Sequence, residues 1–167
     1  NAPDKTVFSI EVLPPVKGTG INKLFDSIDR INEFGPQYIN ITTHHSEYVY
    51  TDIGGGMFKR SAVRRRPGTV AVATAIMHRY GIPVVPHILC NGFTPEETEY
   101  VLIDLQLSGI TDILVLRGDK CKGDANTAPA KQGNKYAIDL QRQVNRFNEG
   151  FFVDGTPMKE RGEAFSY

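Results

Sequence analysis

Cysteine is scarce in this chain, a surplus of either charge is absent, and no apolar run is long. The two cysteines, Cys90 and Cys121, lie 31 positions apart with no CxxC or Cys/His spacing around them. That excludes a disulfide framework and a zinc site, and makes a reduced, cytoplasmic protein with no metal the expectation. Lys plus Arg is 19 and Asp plus Glu is 19, so the formal net charge is zero. A balance of that kind argues against nucleic acid or a membrane surface as the main partner. No stretch approaches the ~18 apolar residues of a membrane span, and no charged-then-apolar leader is visible, so nothing is expected to target or anchor the chain. The 167 residues, 40% of them hydrophobic, suit a single domain over 1–167 with a sizeable core.

What is present is an alternation of strand and helix signals. Thr6 to Leu13, TVFSIEVL, is β-rich and closed by Pro14-Pro15, which cannot continue a ladder. Ile21 to Phe34 has apolar residues at helical spacing and stops at Gly35-Pro36. Tyr38 to Thr43 is the next strand, followed by a long loop whose Gly54-Gly55-Gly56 reads as flexible chain, before a helix over Val70 to Tyr80. Ile82 to Cys90 predicts a third strand. Thr94-Pro95-Glu96-Glu97 then predicts a helix with Thr94 as N-cap, Pro95 at N1 and Glu97 completing a capping box, running to about Ser108. The run Ile110 to Asp119, ITDILVLRGD, reads as a strand buried on both faces, because a half-exposed strand would alternate. An exposed loop, a helix over Tyr136 to Asn148 and a fifth strand beginning at Ala164 complete the pattern.

Four βα units in strict alternation imply a parallel sheet. A doubly wound sheet fits the length, but a closed (β/α)8 TIM barrel is typically ~250 residues, so four units plus the start of a fifth read as about half a barrel. Each strand carries a polar residue at or near its carboxyl end: Glu11, Thr42, His87 and Asp119. Strand carboxyl ends share one rim in a barrel, so these four are the candidate site, although each alone could cap local backbone. Glu11 lies between Ile10 and Val12, where burial of an unpaired carboxylate would favour the neutral acid that a proton donor needs; structural pairing is the alternative. His87 reads as a proton carrier, a donor to a ligand or, on sequence alone, a satisfied core histidine. Lys59, Arg60, Arg64, Arg65 and Arg66 form a basic patch that would suit a phosphate or simply a solvated surface.

FSIEVLPP, INIT, VPHILC and LRGD, in this order on successive strands, resemble the amino-terminal half of the methylenetetrahydrofolate reductase family. The resemblance covers most of residues 7 to 150 and rests on Glu11 before Pro14-Pro15 together with Leu116-Arg117-Gly118-Asp119. It implies a flavin-dependent barrel that passes hydride from NADH or NADPH through FAD to 5,10-methylenetetrahydrofolate, a step of one-carbon and methionine metabolism. By the same resemblance, Glu11 and Asp119 are the catalytic pair. Thr42 stands at a nicotinamide-side position, and Thr43, His45, His87, Arg117, Gly118, Asp119 and Ala137 stand at FAD-contacting positions. Thr43-His44-His45-Ser46 departs from the aromatic-Gly-Ala-Gly type of sequence common there, and the family's later strands have no counterpart in these residues. Two other readings compete: a non-catalytic half-barrel assembly module pairing its sheet edges, most simply as a homo-oligomer, and another barrel enzyme acting on a phosphorylated substrate.

Overall fold

A computed structural model describes residues 6–90, 92–119 and 133–167. The elements in order are β1 (Ser9–Val12), α1 (Asn22–Asn32), β2 (Tyr38–Ile41), β3 (Glu47–Asp52), β4 (Phe58–Val63), α2 (Thr69–Tyr80), β5 (Val84–Leu89), α3 (Pro95–Leu107), β6 (Leu114–Leu116) and α4 (Ala137–Asn148). β1 stops before Pro14-Pro15, which offer no N–H to a ladder. Gly81 ends α2 at φ 63°, and its N–H donates to the Met77 carbonyl at 2.9 Å, a turn a Cβ would strain. The expected capping box opens α3: the Glu97 N–H donates to Thr94 Oγ1 at 3.1 Å and the Thr94 N–H donates to the Glu97 carboxylate at 2.9 Å.

Strands β1, β2, β5 and β6 form one parallel sheet in that order. Each new strand is added on the far side of the one before, with no reversal, whereas a doubly wound sheet turns back at its middle. Right-handed crossovers that always move one way leave every helix on the same face, and the core agrees. Ile28 of α1, Ile76 of α2, Leu102 and Leu105 of α3 and Leu140 and Val144 of α4 pack into one cluster with Ile39, Ile41, Val84 and Ile88 of the sheet. Among the described residues the opposite face is open at its flanks, where Leu13 is 48% and Leu114 38% exposed, while His87 and Leu89 at its centre are buried.

That open face corrects the reading of Ile110 to Asp119. Only Leu114–Leu116 is strand, and it is covered on one side, because no helix of the described residues lies against its other side. Ile110 and Ile113 are buried, as a run of apolar residues demands, but they lie ahead of the ladder. A parallel bridge joins Asp112 to Ser166, with the Ile113 N–H donating to the Ser166 carbonyl at 3.0 Å. The chain thus returns beside the fourth strand where the sequence reading placed the start of a fifth.

The second correction concerns the long connection after β2, expected as loop. β3 and β4 make an antiparallel hairpin, Glu47 opposite Val63 through Asp52 opposite Phe58. Gly54, Gly55 and Gly56 are its turn, all at positive φ (86°, 63° and 74°), so the triplet is a defined bend and not slack chain. All six residues of β3 are exposed, which explains why no buried-face pattern announced the hairpin. The expected loop after Asp119, with Cys121, lies mostly outside the described residues.

Candidate active site

Parallel pairing fixes which side chains share the open face. Glu11 stands opposite Asn40 and Asn40 opposite Val85, while His87, two residues further along β5, stands opposite Leu114. Residues two apart on a strand point the same way, so Glu11 and His87 converge above β2 on one side of the sheet. His87 Nε2 lies 3.7 Å from Glu11 Oε2, the imidazole side chain being 7% and the carboxylate side chain 60% exposed. The expectation that Glu11 is enclosed in an apolar strand is therefore corrected, since β1 is the sheet's edge and its inner face meets solvent. His87 is buried as a core histidine would be, but its Nε2 has no hydrogen-bond partner among the described residues. Burial holds its pKa below the ordinary value, against an opposing upward pull from the Glu11 charge.

Beyond this pair the strand ends open into a cavity of about 420 Å³, lined by Thr42, Thr43, His44, His45, His87, Leu89, Leu116, Arg117, Gly118 and Asp119. Seven candidate residues from three separate segments thus meet in one place. Two candidates stand outside its lining: Glu11, one strand away along the open face, and Ala137, the first residue of α4. Ala137 follows Tyr136, whose ring lies 5.7 Å from the Arg117 guanidinium carbon, so the start of α4 reaches the same rim through Arg117.

The rim is held by threonines. The Thr43 hydroxyl contacts the Thr69 hydroxyl and donates to the His87 carbonyl. Thr69 Oγ1 also donates to the Thr42 carbonyl at 3.1 Å. One network thus ties the end of β2, the first turn of α2 and β5 together. Gly118 has φ 79°, and a Cβ there would come within 3.3 Å of the Leu89 side chain, so glycine keeps the backbone low beneath the cavity. The Cys90 thiol donates to the Arg117 carbonyl at 3.3 Å, anchoring the same turn.

Sequence reasoning passed over His44 and Thr69. His44 lines the cavity, its pKa lowered by burial and then by the Arg66 and His45 charges. Its signal was available as the middle of a run of polar residues leaving β2. Thr69 gave none, because a threonine opening a helix reads only as local structure. Several of the basic residues have structural partners: Arg65 pairs with Glu47 at 3.0 Å, Arg60 lies 4.4 Å over the Tyr48 ring, and Arg66 donates to the Pro14 carbonyl.

A parallel α/β sheet wound in one direction, with histidines, threonines, an arginine and a carboxylate gathered at its carboxyl ends, defines a protein built to hold a ligand at that rim. Sequence comparison makes the class specific. The family model for methylenetetrahydrofolate reductase matches residues 1–160, and the chain belongs to that family. It is 28% identical over 152 residues to methylenetetrahydrofolate reductase 1 of Schizosaccharomyces pombe, covering 90% of this chain and 22% of that protein. It is 25% identical over 156 residues to methylenetetrahydrofolate reductase (NADH) 1 of Arabidopsis thaliana, covering 92% and 24%. Against 5,10-methylenetetrahydrofolate reductase of Escherichia coli K12 it is 29% identical over 132 residues, covering 79% and 37%. The chain therefore spans well under half the length of these relatives.

Proposed function

We propose that these residues form the first four βα units of a (β/α)8 barrel that reduces 5,10-methylenetetrahydrofolate to 5-methyltetrahydrofolate, with FAD as cofactor and NADH or NADPH as reductant. The observation that carries this reading is the convergence of Thr42, Thr43, His45, His87, Arg117, Gly118 and Asp119 on one cavity in a chain of this family. The one-directional strand order and the Asp112–Ser166 bridge support a barrel. The name of the Arabidopsis relative favours NADH.

The residues present fit a flavin. The Arg117 cation, the Thr42 and Thr43 hydroxyl oxygens as acceptors and a side-chain-free approach over Gly118, which a Cβ would fill, are the groups and clearance such a cofactor needs. The chemistry FAD supplies when bound is hydride transfer from nicotinamide to folate. Arg117 and Gly118 would hold and admit the cofactor, Thr43 and the His87 ring would line its site, and the Tyr136-Ala137 start of α4 would close the rim. Glu11 donates a proton to the folate nitrogen as the five-membered ring opens to an iminium ion, and the Asp119 carboxylate stabilises that cation through space.

The test separates the two half-reactions. In Glu11→Gln, which removes a proton donor but little volume, flavin stays bound and is still reduced by nicotinamide. Its reoxidation by 5,10-methylenetetrahydrofolate falls by ~10²-fold or more in stopped-flow absorbance. Loss of flavin from that variant would make Glu11 structural. A non-catalytic assembly module would leave both half-reactions silent in the unsubstituted protein as well.

A further inference from the structure

The proposed chemistry needs a protonated Glu11 at neutral pH, and the structure removes the simplest way to obtain one, because its side chain is 60% exposed. The residue beside it offers another. His87 Nε2 is 3.7 Å from Glu11 Oε2, is buried, and has no hydrogen-bond partner among the described residues. A nitrogen so placed on a rigid central strand is costly to leave unsatisfied, and a small rotation of the freer glutamate brings the two into hydrogen-bond range.

We propose that Glu11 and His87 act as one proton-holding pair, with His87 the positioning residue that keeps a proton available to the Glu11 carboxylate. This rests on the folate-reductase reading of the same site. The step balances as a proton transfer alone. The proton leaves Nε2 of the His87 imidazolium for Oε2 of the Glu11 carboxylate, leaving a neutral imidazole and a carboxylic acid; Glu11 then gives it to the substrate nitrogen, and the pair takes one proton back from water. Burial lowers the cost of that transfer, because a buried imidazole holds its positive charge poorly.

Other charges near His87 are His44, His45, Arg117 and Asp119 around the rim cavity. Arg64, Arg66 and Asp104 border a neighbouring cavity of about 360 Å³ that His87 also lines. Glu11 alone is within ion-pair distance of it among the described residues.

The pair is tested by titrating the imidazole carbon-bound protons of the protein by NMR, with His87 assigned by its loss in His87→Gln. In Glu11→Gln the His87 midpoint moves down, because the charge that favours its protonation is gone, and the wild-type curve is broader than a single-site titration. In Asp119→Asn the movement is smaller. An unchanged His87 midpoint in Glu11→Gln, or a larger shift in Asp119→Asn, overturns the pairing. Both substitutions are at exposed residues, so the fold is retained while His87 is observed. A second arm uses the flavin-loaded protein. His87→Leu and His87→Gln both lower kcat of the folate half-reaction roughly tenfold or more with flavin still bound, because glutamine keeps a polar group near the Nε2 position but cannot take up or hand on a proton. A His87→Gln variant that keeps the unsubstituted kcat overturns the role of His87 as a proton holder. The titration needs no substrate, so absence of folate reduction with a coupled His87 would defeat the catalytic reading and leave the pair standing.

Discussion

Asp119 and Glu11 are both carboxylates at strand ends, yet their surroundings differ. Asp119 stands in the cavity beside Arg117 and Gly118, while Glu11 lies on the open face against His87. A charge that acts through space should matter most where positive charge develops. Asp119→Asn is therefore expected to slow the folate half-reaction by ~10²-fold or more while slowing flavin reduction by nicotinamide much less, read by stopped-flow absorbance. Equal slowing of both steps would remove Asp119 from that role. Thr42, His87 and Asp119 at the rim were legible from their place at the ends of apolar runs, whereas Thr43, His45, Arg117 and Gly118 came from the family resemblance. How buried each one is was not legible. Glu11 between Ile10 and Val12 looks enclosed on paper, but exposure depends on β1 being an edge strand with nothing on its inner side, a property of neighbours and not of the run itself.

Elements whose local chemistry is strong were readable almost to the residue. The helix α3 begins at Pro95, where Thr94 and Glu97 satisfy each other's backbone N–H, because a capping box is a short-range device that needs no tertiary help. Thr94→Ala should accordingly cost about 1 kcal/mol of unfolding free energy, measured by urea denaturation, with Thr94→Ser retaining most of it. A change under a few tenths of a kcal/mol in Thr94→Ala would show that packing alone fixes this end. The hairpin was not legible, for the opposite reason. Tyr48, Tyr50 and Phe58 are good strand residues, but the two strands bury no face, so the alternation that marks a half-buried strand is missing. The strand over Ile110 to Asp119 was over-read, since aliphatic runs mark burial and not ladder membership.

At the scale of the whole molecule, the helices of the described residues cover one face of the sheet and leave the flanks of the other to solvent, with Leu13 and Leu114 there and β1 at an edge unpaired among the described residues. Apolar area in water costs ~25 cal/mol per Å², and an unpaired strand edge invites pairing. Self-association is thus expected, appearing in sedimentation velocity as a concentration-dependent shift to dimer or larger; a monomer with no such dependence would count against it. Among the described residues no helix is long and apolar enough to cross a membrane. The central claim is that the strand-end cavity is a flavin site, and the most direct measurement is a titration of the protein with FAD followed by flavin fluorescence. Saturable quenching is expected, weakened at least tenfold in Gly118→Ala, where φ 79° strains any L side chain and a Cβ would press on Leu89 at 3.3 Å. No saturable change with FAD, or binding that is unaltered in a folded Gly118→Ala variant, would contradict the account.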